Sequence, residues 1–271
     1  NNIRVTYTPC DENGMVMPEA IESAIENDTR LIVVNHCSNV TGAVLDLKSI
    51  SEIARKNNIL FMADISQSAG SVAVDVEGWG IDIAAFTGHK SLYGLSGTGG
   101  IYIREGLDIA PLKTGGTGIL SSTLTQPKNR PQYYEAGTPN IPGLVSLYHG
   151  ANWLRTVSIE FIHEHKRWLA DQFYQYFHSH PDITIYGDYH HPQREGILSF
   201  NIHGMDPDDV GYILETSFNF VVRTGLHCSP LIHPYLGSQP NGCIRASFSI
   251  FNTGKQINLF IEAVEQICRA K

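Results

Sequence analysis

Residues 84–100 read AAFTGHKSLYGLSGTGG and place one lysine, Lys90, between an apolar run and a glycine-rich run. The apolar run, Ile81 to Phe86, predicts a buried strand, and a second apolar run follows at Ile101 to Ile103. A strand–loop–strand of this kind can hold a lysine at the bottom of a cleft, where loss of hydration makes the amine easier to deprotonate and favours a Schiff base. The alternative is a solvated surface lysine, which is common in glycine- and serine-rich loops.

The composition is that of a globular protein. Of the 271 residues, 42% are hydrophobic and 17% are charged, and no apolar run is as long as a membrane span. A net charge of −8 argues against nucleic acid or an anionic membrane as the main partner. Five widely scattered cysteines and the absence of a CxxC or HExxH pattern predict free thiols, no metal site and a cytoplasmic location. The cysteines are Cys10, Cys37, Cys228, Cys243 and Cys268.

The first part of the chain alternates between strand and helix patterns. Strands are predicted at Thr6–Val16, with a turn at Asp11-Glu12-Asn13-Gly14 because Asn-Gly favours turns, and at Leu31–Val34, Ile59–Ala63 and Ile81–Phe86. A short extended stretch is predicted at Ser71–Val76, and helices are predicted at Pro18–Asn27 and Leu47–Asn57. Apolar runs in this order predict an α/β fold, in which helices cover both faces of a mostly parallel sheet. We expect this large domain to span residues 1–150, and to lack its first part because Asn1 to Tyr7 reads as a strand entered part-way.

The second part predicts a smaller α+β domain at residues 151–271. A long loop at Lys113–Asn140 leads into a helical pattern, with a possible bend, over Leu144–Phe177. Strands are then predicted at Ile183–Tyr186, Ile197–Ile202 and Cys243–Phe248, and helices at Asp206–Phe218 and Gln256–Cys268.

Polar residues follow the predicted parallel strands at Asn39, Asp64 and Lys90. Ligands of α/β sheets bind at the carboxyl ends of strands, so these residues are candidates for one site. Asp64 alone is also typical of a turn or a helix N-cap. Next to a lysine on the adjacent strand, an aspartate fits a further role, because it can keep the pyridine nitrogen of pyridoxal phosphate (PLP) protonated.

Taken together, these motifs resemble the class V aminotransferase group of PLP enzymes, and within it the cysteine desulfurase and selenocysteine lyase branch. The resemblance covers nearly the whole chain in the right order. It rests on Ser38-Asn39, on Asp64 and Gln67, on Thr87-Gly88-His89-Lys90, and on Arg223-Thr224-Gly225-Leu226-His227-Cys228.

The resemblance implies a PLP site. Lys90 would form the Schiff base and move the substrate's α-proton, Asp64 would pair with the ring nitrogen, and Gln67 would bind the phenolic oxygen. Thr87 and His89 would bind the phosphate. The resemblance also gives His89 a catalytic role, together with Lys90 and Cys228. Asn39 would contact the cofactor or the substrate. The resemblance further implies a homodimer, in which Gly137 and Thr138 reach the neighbouring subunit's phosphate site.

The resemblance also implies a substrate site for L-cysteine or selenocysteine. Arg245 would clamp the α-carboxylate, with Arg223 nearby, since a guanidinium binds a carboxylate through two hydrogen bonds. Cys228 would take the sulfur as a persulfide and pass it to an acceptor protein. Arg223 and His227 as cations would favour its thiolate. The alternatives are an exposed strand arginine for Arg245 and a buried structural cysteine for Cys228.

Two departures from the family pattern stand out. Leu226 occupies the place of a histidine, and no histidine precedes His36 where the family has one that stacks on the pyridine ring. Three functions therefore remain open: a cysteine desulfurase, an aminotransferase or epimerase of the same class in which Cys228 is incidental, and a non-catalytic remnant.

Overall fold

A computed structural model describes residues 3–116, 120, 122 and 124–271. The strands are β1 (Leu31–Asn35), β2 (Leu60–Asp64), β3 (Ile83–Thr87), β4 (Gly99–Ile103), β5 (Ile183–Tyr186), β6 (Ile197–Ile202) and β7 (Ile244–Ser247). The helices are α1 (Pro18–Ser23), α2 (Leu47–Lys56), α3 (Ile141–Val157), α4 (Ile159–Phe177), α5 (Pro207–Phe218), α6 (His233–Leu236) and α7 (Gly254–Ala270), with a 3₁₀ turn at Gln132–Tyr134. Among these residues, no helix is both long and apolar enough to cross a membrane.

The first sheet has the strand order β1-β2-β3-β4. The strands β1, β2 and β3 run parallel, and β4 returns antiparallel to β3. The predicted mostly parallel sheet is therefore confirmed. In this register Asn35 lies beside Asp64, and Asp64 lies beside Ala85, so the polar ends of β1, β2 and β3 share one edge of the sheet.

Only one face of this sheet carries a complete apolar core among the described residues. Ile32, Phe61 and Ala63 are buried there against α2. On the opposite face Val33 is 58% exposed and Ile101 is 52% exposed. Among the described residues, helix α2 therefore covers one face of this sheet, and the opposite face is open at Val33 and Ile101.

A break at Ser158 divides the predicted long helix into α3 and α4. Ser158 has a φ of 78°, a conformation that a continuing helix excludes. Its hydroxyl accepts a hydrogen bond from the backbone N–H of Phe161 at 3.3 Å and so caps α4. The predicted bend is confirmed, and the predicted domain boundary after residue 150 falls inside α3.

The second sheet is antiparallel, with the order β5-β6-β7. Its core lies between the sheet and the helices α4, α5 and α7, where Phe173, Phe200 and Phe260 pack together. The helix α7 begins with a capping box, in which Thr253 and Gln256 bond each other's backbone N–H groups. This unit is the predicted α+β arrangement.

A buried charge cluster joins the two sheets. Glu195, which lies just before β6, is fully buried, and its N–H donates to the carbonyl of Gly42 at 2.8 Å. Its carboxylate pairs with Lys166 and His163 of α4. Burial alone would raise the pKa of Glu195, but the hydrogen bond from His163 and the charge of Lys166 outweigh that effect and lower it. The cluster therefore holds the turn after β1 against the second sheet.

Two predicted extended segments were wrong. The strand expected at Thr6–Val16 is absent. The turn predicted at Asp11–Gly14 is confirmed, since the side chain of Asp11 accepts from the N–H groups of Asn13 and Met15. Residues 71–76 form turns and irregular structure instead of an extended segment. The short helix α6 lies in a proline-rich loop for which the sequence pattern predicted no element.

Candidate active site

The ends of β2 and β3 present the first two candidate residues. The Asp64 side chain is exposed, and its Oδ1 accepts from the Ser66 N–H at 2.8 Å, which orients the carboxylate at the strand end. Gln67 is half-buried in the turn that follows. Thr87 ends β3, three residues before Lys90. The topology thus brings the aspartate and the lysine to the same edge of one sheet.

Lys90 lies in a turn that its own backbone closes. The N–H of Tyr93 donates to the carbonyl of Lys90 at 3.0 Å, and the N–H of Gly88 donates to the carbonyl of Thr98 at 2.8 Å. The side chains of Lys90 and His89 are exposed. The expectation that surrounding groups bury Lys90 was therefore wrong for the residues described, because this edge of the sheet is open.

Close approaches place three turns around this edge. A Cβ on Gly70, in the turn after Asp64, would lie 2.2 Å from the carbonyl oxygen of Ser91, next to Lys90. Burial raises the pKa of the Cys37 thiol, and the positive charges of Lys166, Arg194 and Lys90 oppose that rise. Lys90 is thus within electrostatic range of the turn after β1.

The loop after α5 carries the candidate nucleophile. Cys228 is exposed, and the guanidinium of Arg223 donates from Nη2 to its Sγ at 3.0 Å. The structure excludes the alternative of a buried structural cysteine. His227 is buried instead, and burial, together with the charges of Arg245 and Arg223, lowers its pKa to about 4. His227 is therefore neutral near pH 7, so the expectation that it supplies a positive charge to Cys228 was wrong.

Two arginines lie together beside Cys228. The backbones of Arg223 and Arg245 exchange hydrogen bonds of 3.1 and 2.7 Å. Burial and the charge of Arg223 lower the pKa of Arg245, whereas the nearby thiols of Cys243 and Cys228 raise it. Neither guanidinium pairs with a carboxylate in the described residues, and the Nε of Arg245 is buried without a hydrogen-bond partner. Two adjacent cations without an anion form a site suited to an anionic ligand.

Asn39 links this arginine pair to the cysteine loop. Its carbonyl oxygen accepts from Nη1 of Arg245 at 2.8 Å. Its side-chain Nδ2 donates to the carbonyl of His227 at 2.6 Å, and its Oδ1 accepts from the hydroxyl of Ser229 at 2.7 Å. The structure therefore brings Asn39, Arg223, Cys228 and Arg245 together, although more than 180 residues separate Asn39 from the cysteine loop.

The family model described as Aminotransferase class-V matches residues 1–260. The chain belongs to this class-V aminotransferase family. A relative from Methanothermobacter thermautotrophicus, described as a probable cysteine desulfurase, is 37% identical over 98% of this chain and 67% of its own length.

Solved structures agree with the family assignment. An apo cysteine desulfurase from Thermococcus onnurineus NA1 superposes with a TM-score of 0.86 and 27% identity, over 98% of this chain and 66% of that one. A cysteine desulfurase from Escherichia coli superposes with a TM-score of 0.85 and 26% identity, over 93% of this chain and 62% of that one. The class-V chain described here therefore spans about two thirds of the length of these proteins.

The residues of the class-V chain fit a bound PLP. Thr87 Oγ1 is buried without a hydrogen-bond partner, on the sheet face that also carries Asp64. A buried hydroxyl without a partner is costly, so a ligand oxygen at this position would stabilise it. The exposed carboxylate of Asp64 would suit the ring nitrogen of PLP, and the exposed amine of Lys90 would suit its aldehyde.

Gly137 and Thr138 lie apart from this set of contacts. Both are exposed, and the N–H of Gly137 donates to the carbonyl of Gly116 at 2.7 Å. A Cβ on Gly137 would meet no atom within 4 Å. The contact of Gly137 and Thr138 with a neighbouring subunit therefore stays a prediction.

Two residues that hold the site were not predicted. Glu195 is part of Arg194-Glu195-Gly196, a charged pair directly before an apolar strand, and this placement is the signal that could have identified it. Ser229 follows Cys228 in the sequence, yet no local pattern indicates its bond to Asn39.

Proposed function

We propose that this chain carries the active site of a PLP-dependent cysteine desulfurase, which takes sulfur from L-cysteine and leaves L-alanine. One observation supports this function above the others of the family: Cys228 is exposed and receives a hydrogen bond from Arg223, beside the unpaired Arg245. An aminotransferase or epimerase has no use for a thiol at this position. The relatives named as cysteine desulfurases support the same choice.

The cofactor would be held by residues at the ends of β2 and β3. Lys90 would bind the aldehyde carbon of PLP, and Asp64 would keep the ring nitrogen protonated. Thr87 and His89 would bind the phosphate, and Gln67 would bind the phenolic oxygen. When bound, PLP supplies an electron sink for the bonds around the substrate's α-carbon.

The substrate would bind through its α-carboxylate. Arg245 has a guanidinium edge available, since its Nε has no partner, and Arg223 adds a second positive charge next to it. Asn39 fixes the orientation of Arg245 through its carbonyl oxygen. This site selects an amino acid by its carboxylate, and selenocysteine would fit it as L-cysteine does.

The sulfur transfer would take place at Cys228. Its thiolate attacks the sulfur atom of the substrate, so a sulfur–sulfur bond forms while the substrate's carbon–sulfur bond breaks. The thiol becomes a persulfide, a two-electron oxidation that the reductive cleavage of the carbon–sulfur bond balances. The β-carbon of the substrate gains a proton, and Lys90 would move the α-proton.

We further propose that the enzyme is a cytoplasmic homodimer that passes sulfur to a second protein. Gly137 and Thr138 would contribute to the phosphate site of a second subunit in a homodimer. The persulfide on exposed Cys228 would pass to an acceptor protein. Free thiols at all five cysteines favour the cytoplasm.

Replacement of the nucleophile tests the proposed function. The PLP-loaded Cys228→Ser variant is expected to retain the cofactor and to lose sulfide release from L-cysteine in the presence of a reductant. The matched control is Cys10→Ser, which replaces a different, half-buried thiol and is expected to behave as the wild type. Continued sulfide release by Cys228→Ser would favour the aminotransferase or epimerase alternative, and no cofactor binding by the wild type would favour the remnant.

A further inference from the structure

The side chain of Asn39 makes both of its hydrogen bonds to the loop that carries Cys228. One goes from Nδ2 to the carbonyl of His227, and the other comes to Oδ1 from the hydroxyl of Ser229. We call this set of Asn39, the His227 carbonyl and the Ser229 hydroxyl the Asn39 latch. It touches the residues immediately before and after the cysteine, so it determines where the thiol lies.

The turn that carries Asn39 is itself fixed. The hydroxyl of Ser38 accepts from the N–H groups of Val40 and Thr41 at 3.2 and 3.1 Å. The hydroxyl of Ser199, in β6, donates to the carbonyl of Val40 at 2.6 Å. Asn39 therefore belongs to a turn that hydrogen bonds outside the latch hold in place.

The loop on the other side of the latch is strained. His227 and Cys228 have φ values of 52° and 60°, in the left-handed region that non-glycine residues rarely adopt. Two consecutive residues persist in this region only where the surroundings hold them. The N–H of Ser229 donates to the carbonyl of Leu226 at 2.9 Å and closes the turn over these two residues. His227 is also held by the Asn39 amide and by the bond between its Nε2 and the carbonyl of Cys243, at 2.8 Å.

We propose that Ser229 is a positioning residue for Cys228. An asparagine side chain can present either its oxygen or its nitrogen to a neighbour. The Ser229 hydroxyl donates to Oδ1 and so leaves Nδ2 facing the His227 carbonyl. With the amide held in this orientation, its bond to the His227 carbonyl adds to the backbone bond between Ser229 and Leu226 in keeping Cys228 in place, with its Sγ 3.0 Å from Nη2 of Arg223.

The role of Ser229 in turnover rests on the proposed function, but its role in the loop does not. Arg245 donates to the backbone carbonyl of Asn39, whose position does not depend on the Ser229 hydroxyl. The carboxylate site should therefore survive the loss of that hydroxyl. Only the placement of the thiol, and hence the sulfur-transfer step, should change.

Hydrogen–deuterium exchange of the full chain tests the latch directly. In Ser229→Ala, peptides covering residues 226–232 should exchange about 2- to 10-fold faster than in the wild type, the factor expected for loss of one hydrogen bond. Ser229→Thr keeps a hydroxyl and should restore the wild-type rate. Leu231→Ala, a change at an exposed loop position that takes no part in the latch, should leave the rate unchanged.

Kinetics of the PLP-loaded enzyme provide the second measurement. Ser229→Ala should lower kcat for sulfide release about 2- to 10-fold at an unchanged KM for L-cysteine, and Ser229→Thr should recover kcat. Wild-type exchange in Ser229→Ala, or faster exchange that extends to peptides from β6, would overturn the positioning role. If no variant released sulfide, the proposed function would fail, and the exchange comparison would still decide whether the latch exists.

Discussion

Nη2 of Arg223 donates a hydrogen bond to Sγ of Cys228 at 3.0 Å, within the same exposed loop. The thiol that would accept sulfur thus lies against a permanent positive charge. Arg245 adds a second guanidinium on the neighbouring strand β7, and no carboxylate of the described residues neutralises either one. The local charge therefore suits an anionic ligand such as a carboxylate.

Removal of the Lys90 amine should abolish covalent cofactor binding. After incubation with PLP and reduction with borohydride, wild-type protein should carry a pyridoxyl group on Lys90, and Lys90→Ala should carry none. Retention of PLP through gel filtration should fall at least about tenfold, because the covalent bond is lost. Peptide mass spectrometry locates the adduct. Lys48→Ala, at another exposed lysine, is the control, and an adduct elsewhere with Lys90 unmodified would contradict the assignment.

Arg245→Lys should weaken substrate binding and leave the cofactor in place. A lysine keeps the charge but not the two-pronged contact with a carboxylate, so KM for L-cysteine should rise about 10- to 100-fold. Steady-state kinetics of sulfide release measure this change. Arg269→Lys, an exposed arginine of α7 that pairs with Glu265, provides the control. An unchanged KM in Arg245→Lys would mean that the carboxylate binds elsewhere.

The buried pair between Glu195 and Lys166 should be a large contributor to stability. Glu195→Gln leaves the Lys166 ammonium buried without its counter-charge, so the free energy of unfolding should fall by about 3 kcal/mol or more. Urea denaturation followed by circular dichroism measures the loss. Glu164→Gln removes an exposed carboxylate of the same helix and should change the free energy of unfolding by less than about 0.5 kcal/mol. Equal effects of the two changes would refute the role of the pair.

His36 should make the fold sensitive to mild acid. Burial lowers its pKa to about 4, whereas an unfolded histidine titrates near 6.5. Between these two values the unfolded chain binds more protons than the folded chain, so stability is complete above about pH 6.5 and falls as the pH decreases toward 4. Over that pH interval the free energy of unfolding of His36→Gln should therefore fall by about 1 to 3 kcal/mol less than that of the wild type.

Urea denaturation at a series of pH values makes this comparison. His149→Gln, at an exposed histidine, should show the same pH dependence as the wild type. If the free energy of unfolding changed with pH in the same way in His36→Gln and the wild type, His36 would not be a source of the acid sensitivity.

The sequence was most informative where apolar runs are continuous. The runs at Leu31, Leu60 and Ile83 predicted β1, β2 and β3, and their parallel order then placed Asp64 and the Lys90 turn at one edge. These inferences succeeded because strand period and connection length are local properties.

The remaining features depend on contacts that no local pattern encodes. Thr6–Val16 has strand composition but pairs with no strand of the described residues, and Lys90 is exposed because its edge of the sheet is open. The bond between Ser229 and Asn39 joins residues 190 positions apart. A hydroxyl next to a cysteine carries no sign of such a partner in the sequence, so only the fold could reveal it.

Peptide mass spectrometry after a single turnover tests whether Cys228 accepts the sulfur atom. The wild-type chain is loaded with PLP, mixed with L-cysteine in the absence of reductant, and alkylated before digestion. We expect one additional sulfur atom on the peptide that contains Cys228, and none on the peptides of Cys10, Cys37, Cys243 and Cys268. Sulfur on another cysteine, or alanine formed with Cys228 unmodified, would contradict the assignment of Cys228 as the sulfur acceptor.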